Sequence, residues 1–97
     1  MSDEERSAFI TYIAANPEAG DIMVGTAGVR KVRWGVGSRG KSGGVRVIYY
    51  YHNFQFPLFL LTVFAKNERE NISQSEKNEL KRLLPILIEE YKVRRKV

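Results

Sequence analysis

Seven consecutive residues, Val45-Arg46-Val47-Ile48-Tyr49-Tyr50-Tyr51, restrict the folds open to this chain more than any other feature. β-Branched and aromatic side chains suit a pleated surface, so the run predicts a strand over 45–51. Period two then puts Arg46, Ile48 and Tyr50 on one side of it. A second run, Val29 to Trp34, predicts another strand, with Lys31 and Arg33 on one face and Arg30 on the other. Leu58 to Lys66 reads as a third. His52-Asn53-Phe54-Gln55-Phe56-Pro57 makes the turn before it, and Gly35 to Gly44, with five glycines, forms a glycine-rich connection after the first strand.

Helices bracket these strands. Ser2-Asp3-Glu4-Glu5 is a capping-box pattern, followed by Phe9, Ile10, Ile13 and Ala14 at helical spacing. Asn16-Pro17 ends that helix, because the residue before proline is pushed out of the α region. Glu18 to Gly28 reads as loop. Ser73-Gln74-Ser75-Glu76 opens a second helix with the apolar stripe Leu80, Leu83, Leu84, Leu87, Ile88 and Tyr91, and Pro85 inside it predicts a kink or break. The expected architecture is α+β: one domain over 1–97, a three-stranded antiparallel meander, and both terminal helices packed on one sheet face. The other face would be left for a partner.

Charge gives the first functional clue. The chain holds 16 Lys and Arg against 11 Asp and Glu, a formal net charge of +5. No carboxylate lies between Asp21 and Glu68, yet Arg30, Lys31, Arg33, Arg39, Lys41, Arg46 and Lys66 all fall there. A sheet face rich in cations and free of acids suits a polyanion. There is no cysteine, which rules out disulfides and thiolate metal sites. The acidic start is unlike a signal peptide, and the longest apolar stretch, around Leu58 to Ala65, is too short for a membrane helix. These features predict a cytoplasmic protein without membrane contact.

Gly35-Val36-Gly37-Ser38-Arg39-Gly40-Lys41-Ser42 matches two phosphate-binding patterns, G-x-x-x-x-G-K-[ST] and G-x-G-x-x-G. Both require a helix to begin at the glycines, whose free N–H groups and dipole hold the phosphates. A strand follows here instead, and no acidic residue occurs before Glu68 to meet a ribose or magnesium. The segment is a hairpin connection whose Arg39 and Lys41 are candidates to grip a nucleic-acid backbone.

The single histidine, His52, sits in a turn, and no spacing suits a metal. Paired-carboxylate and metal-dependent nuclease chemistry therefore fits poorly, and no cofactor is expected. A cationic site remains. RNA can be cut by its own 2′-OH when a base takes that proton, a donor meets the leaving 5′ oxygen, and cations stabilise the phosphoryl oxygens. Tyr49 and Tyr51 read as core, Trp34 as core or rim.

Together, Gly25-Thr26-Ala27-Gly28-Val29-Arg30-Lys31-Val32-Arg33, Gly43-Gly44-Val45-Arg46-Val47-Ile48-Tyr49-Tyr50 and Leu61-Thr62-Val63-Phe64-Ala65-Lys66-Asn67-Glu68, with the helix from Ser73, resemble the RelE superfamily of bacterial toxins, and most its HigB branch. The resemblance implies a metal-independent, ribosome-dependent mRNA endonuclease with the ribosome and mRNA as targets. A HigA- or RelB-like antitoxin would hold it inactive. It implies a catalytic set of Lys31, Arg33, Arg46 and Lys66, with one of Lys31 and Arg33 as base and Arg46 on the scissile phosphate. Arg30, Arg39 and Lys41 are the further RNA-binding candidates. The family's best-known branch has an arginine where Asn67 stands and a tyrosine shortly downstream, where this chain has none before Tyr91. The acid role is thus left open, with Tyr50 conceivable. Such toxins also begin with a strand ahead of the part matching Ser2; its absence would leave an edge strand open to a homodimer or an antitoxin strand. Two rival functions are a ParE-like gyrase poison and a non-catalytic RNA- or ribosome-binding protein.

Overall fold

The computed structural model describes residues 2–35, 44–65 and 71–95, the side chain of Arg95 excepted. Helix α1 spans Asp3–Ala15 and opens with the expected capping box: the Ser2 amide donates to Glu5 Oε1 at 2.9 Å and the Glu5 amide donates to Ser2 Oγ at 3.1 Å. It closes at Asn16, whose amide donates to the Tyr12 carbonyl, immediately before Pro17.

Four strands follow, not three: β1 Asp21–Ile22, β2 Val29–Trp34, β3 Val45–Tyr50 and β4 Phe59–Ala65, in the order β1-β2-β3-β4 and antiparallel throughout. The extra strand lies in the stretch expected to be loop. The cause is the turn over 23–28. Thr26 is fully buried; its hydroxyl donates to the Met23 carbonyl at 2.6 Å and accepts the Val29 amide at 3.1 Å. Met23 N–H also donates to the Val29 carbonyl, while Gly25, Ala27 and Gly28 take positive φ. The chain is thereby folded back so that Asp21 lies opposite Lys31 and Ile22 opposite Arg30.

Helix α2 runs from Gln74 to Arg95 without a break at Pro85. Its capping box also forms, with Ser73 N–H on Glu76 Oε1 at 2.8 Å and Glu76 N–H on Ser73 Oγ at 3.1 Å. Pro85 and Lys81, one turn earlier, are both exposed, so the carbonyl that loses its amide donor can meet water instead.

The helices cover opposite faces of the sheet, which corrects the one-face expectation. Phe9 and Ile13 of α1 pack with Val45, Val47 and Tyr49. Leu84 of α2 packs with Val29, Ile48 and Phe64, supported by Leu80 and Leu87. Strand β3 lies between the two layers and is buried from Val45 through Tyr49. Burial on both sides requires a largely apolar strand, and Arg46 is the one charged residue within it. Between Ile48 and Tyr49 the register with β4 slips by one residue, so that Thr62 faces Ile48 and Leu60 faces Tyr49, with Leu61 extra.

Candidate functional site

Residues directly opposite in an antiparallel pair share a face. Arg33 on β2 is opposite Arg46 on β3, and Lys31 is opposite Ile48, so the three cations occupy one face, the side that α2 partly covers. Arg33 is exposed and Lys31 half-buried. Arg46 is only 7% exposed, flanked by Arg33 on one side and the buried Phe64 on the other. Its Nη1 is buried and has no hydrogen-bond partner among the described residues. Among the described residues none of these three cations forms an ion pair; the pairs present are Arg6–Asp3, Arg30–Glu18 and Arg82–Glu79.

A buried guanidinium without a carboxylate is costly. Strand β3 holds it there because Val45 and Val47 are locked under α1 while Ile48 is locked under α2. Two arginines side by side, one with an orphan donor, make a site for an oxyanion with several acceptor oxygens, such as a phosphate.

The remaining expected residues separate. Arg30 lies on the α1 side, its side chain 16% exposed, where Nη1 donates to the Gly20 carbonyl at 2.7 Å and the Glu18 carbonyl at 3.2 Å. Beside it the Tyr49 hydroxyl donates to the Pro17 carbonyl at 2.8 Å and accepts the Gly20 amide at 2.9 Å. Burial pushes the Tyr49 hydroxyl above its usual pKa. Together these two side chains fasten the α1–β1 connection to the sheet. Arg30 is thus set apart from the Lys31–Arg33–Arg46 group and carries a scaffolding load. Arg39, Lys41 and Lys66 lie outside the described residues.

Tyr50 shares the face of Arg46 but sits four residues further along β3, about 13 Å away. Its hydroxyl is hydrogen-bonded to His52 Nδ1 at 3.1 Å. That engagement and distance leave it poorly placed to serve a phosphate held at Arg46. Trp34 packs edge-on to Phe9 and against Tyr12, with ring centres 5.3 and 5.2 Å apart, a core-and-rim position as expected.

Reading the residues in chain order missed Asp21. Strand β1 sets it opposite Lys31, so one carboxylate borders the cationic face. The signal is nonlocal, because only the turn over 23–28 brings residue 21 back to residue 31. No helix among the described residues is long and apolar enough to cross a membrane.

A family model described as the RelE toxin of the RelE/RelB toxin–antitoxin system matches residues 4–92, a span that holds all four strands, nearly all of α1 and most of α2. That family pairs each toxin with an antitoxin of the RelB kind. With the match running over almost the whole sequence and every element of the sheet, the chain belongs to the RelE toxin family.

Proposed function

We propose that this protein is a metal-independent endoribonuclease toxin that cuts mRNA on the ribosome, with Lys31, Arg33 and Arg46 at its reaction centre. The observation that carries the reading is the buried Arg46 guanidinium, with Nη1 unpartnered among the described residues and Arg33 directly across the strand pair. An anion would satisfy such a group, and a phosphodiester supplies two acceptor oxygens. In the reaction the 2′ oxygen forms a bond to the adjacent phosphorus while the bond from phosphorus to the 5′ oxygen breaks. The products are a 2′,3′-cyclic phosphate and a 5′-hydroxyl. Arg46 and Arg33 stabilise the charge that builds on the phosphoryl oxygens.

Of the three side chains, Lys31 alone carries an amine, and a guanidinium is a poor proton acceptor. It is therefore the group assigned to the 2′ proton. Lys66 is assigned to the same centre by family resemblance, and Arg39 and Lys41 to the RNA backbone. The run Gly43-Gly44-Val45-Arg46-Val47-Ile48-Tyr49-Tyr50 favours the HigB branch.

The test adds purified protein to ribosomes programmed with a defined message and maps the new ends by primer extension. Cuts in phase with codons, with cyclic-phosphate termini, are expected. Inhibited translation without new ends would instead indicate a non-catalytic ribosome binder. Loss of DNA supercoiling activity with intact mRNA would indicate a gyrase poison.

A further inference from the structure

Strand β1 adds little to either core, because both of its residues, Asp21 and Ile22, are exposed. Yet the chain is fastened firmly on each side of it. Before Asp21, the Gly20 amide donates to the Tyr49 hydroxyl at 2.9 Å. A Cβ at Gly20 would lie 2.9 Å from the Lys31 carbonyl oxygen and from the Tyr49 ring, so only glycine allows this close an approach. After Ile22, the Met23 amide donates to the Val29 carbonyl at 2.8 Å, and the buried Thr26 hydroxyl ties the turn that follows. These bonds fix which way each side chain points. Ile22 shares the α1 side with Arg30, and Asp21 shares the other face with Lys31, directly across the strand pair. What the short strand delivers to the cationic face is a carboxylate.

Opposed residues in an antiparallel pair hold their Cβ atoms about 4.5–5.5 Å apart, so the Asp21 carboxylate is within reach of the Lys31 amine. No ion pair joins the two among the described residues, so the amine is not locked away from a substrate. A lysine amine ends a long flexible stem, and a proton acceptor must come within hydrogen-bond distance of the proton it takes. Something has to steady the end of that stem. Charge makes a second demand. Arg33 lies two residues along on the same face, with Arg46 across from it, so protonating Lys31 adds a third positive charge to the group. Like charges oppose that step, and a neighbouring carboxylate favours it.

We propose that Asp21 is the positioning residue of Lys31. It holds the amine toward the 2′ hydroxyl and offsets the charge that Lys31 gains, the part a third group plays behind an oriented base. In that step the O2′–H bond breaks, the proton passes to Lys31 Nζ, and the oxygen's electron pair forms the bond to phosphorus. The bond from phosphorus to the 5′ oxygen breaks, and that oxygen leaves with its electron pair and takes a proton from water. The hydroxide so formed recovers the proton from Lys31. Asp21 itself neither gains nor loses a proton. The role rests on the cleavage reading, with Lys31 as the base.

Single-turnover cleavage of ribosome-bound message tests it, with wild type, Asp21→Asn, Asp21→Glu, Lys31→Ala and the Asp21→Asn/Lys31→Ala double variant compared. Asp21→Asn should cut about 10- to 100-fold more slowly at saturation, a part of the roughly 10²–10⁴ that a proton acceptor supplies. The protein concentration giving half of that maximum should not rise, since the variant takes a negative charge off a surface that meets RNA. Asp21→Glu keeps the carboxylate and should recover most of the rate. In the Lys31→Ala background, Asp21→Asn should cost nothing further, because the two residues act as one unit. Asp21 is exposed, so Asp21→Asn should keep the wild-type circular dichroism and melting temperature. Losses that multiply in the double variant, a loss confined to binding, or an Asp21→Asn that cuts as fast as wild type would overturn the role while leaving the cleavage reading in place. Wild-type protein that leaves the message whole would instead defeat the cleavage reading, and this role with it.

Discussion

Arg46→Met should remove activity and raise stability at once, and the size of both effects follows from where the side chain lies. Arg46 is 7% exposed, and its buried Nη1 has no acceptor among the described residues. A buried donor left unsatisfied costs about 1–3 kcal/mol, and exchanging a buried charge for a packed apolar side chain is commonly neutral or favourable. Methionine keeps the unbranched stem against Phe64 without the charge. The variant should gain about 1 kcal/mol, which in a domain near 100 residues is roughly 5 °C in melting temperature. Losing a preorganised donor at the phosphoryl oxygens costs about 10²–10³ in rate. Thermal denaturation followed by circular dichroism reads the first effect, and single-turnover cleavage of ribosome-bound message reads the second. Arg33→Met is the internal control: Arg33 is exposed, so its stability should change by no more than about 0.5 kcal/mol. If Arg46→Met melts more than 5 °C below wild type, or retains cleavage within a few-fold, the orphaned guanidinium is not held in place for an anion.

Other perturbations probe the scaffold. Arg30→Met loses the hydrogen bonds to the Glu18 and Gly20 carbonyls and should cost about 1–3 kcal/mol in urea denaturation; cleavage per folded molecule should stay at wild-type level. Tyr49→Phe strands the Gly20 amide and should cost a similar amount, about 1–3 kcal/mol. Because folding raises the Tyr49 pKa above the unfolded value of 10.0, its contribution is complete below pH 10 and is lost as pH rises beyond it. Urea midpoints between pH 9 and 11.5 should fall more steeply for wild type than for Tyr49→Phe. Ala27 holds a φ of 63°, a conformation that costs an L-residue about 1–2 kcal/mol. After the extra backbone entropy of glycine, Ala27→Gly should still gain about 0.5–1 kcal/mol by chemical denaturation.

Local signals in the sequence proved dependable. Both capping boxes form where Ser2 and Ser73 announce them, and β2 and β3 occupy the expected runs, the latter ending at Tyr50 where 51 was expected. What escaped depends on contacts between distant residues. Strand β1 has only two residues and so no periodicity to detect. It exists because a buried Thr26 and positive-φ positions turn the chain back. The placement of α1 and α2 on opposite faces was legible in principle, because a run without polar alternation from Val47 to Tyr51 cannot face water on either side. Reading it as a meander covered on one side overlooked that. For the site, strand parity correctly grouped Lys31 with Arg33 and put Arg30 on the other face. Parity cannot show that Arg30 is occupied by two carbonyls, or that Asp21 comes to lie opposite Lys31.

In the proposed mechanism, two-sided burial gives Arg46, and not its exposed neighbour, the transition-state load. Catalytic donors work best when they need not reorganise as charge develops. Arg46 emerges from a strand packed by helices on both faces and buried from Val45 through Tyr49, so its backbone cannot shift without disturbing both cores. Arg33, exposed on a strand whose burial is mostly partial, can swing and is suited to first capture of the RNA backbone. The unsatisfied donor that weakens the free protein is then the same group that gains most when a phosphate arrives. On the proposed reading, stability and catalysis are opposed at one atom, Nη1 of Arg46.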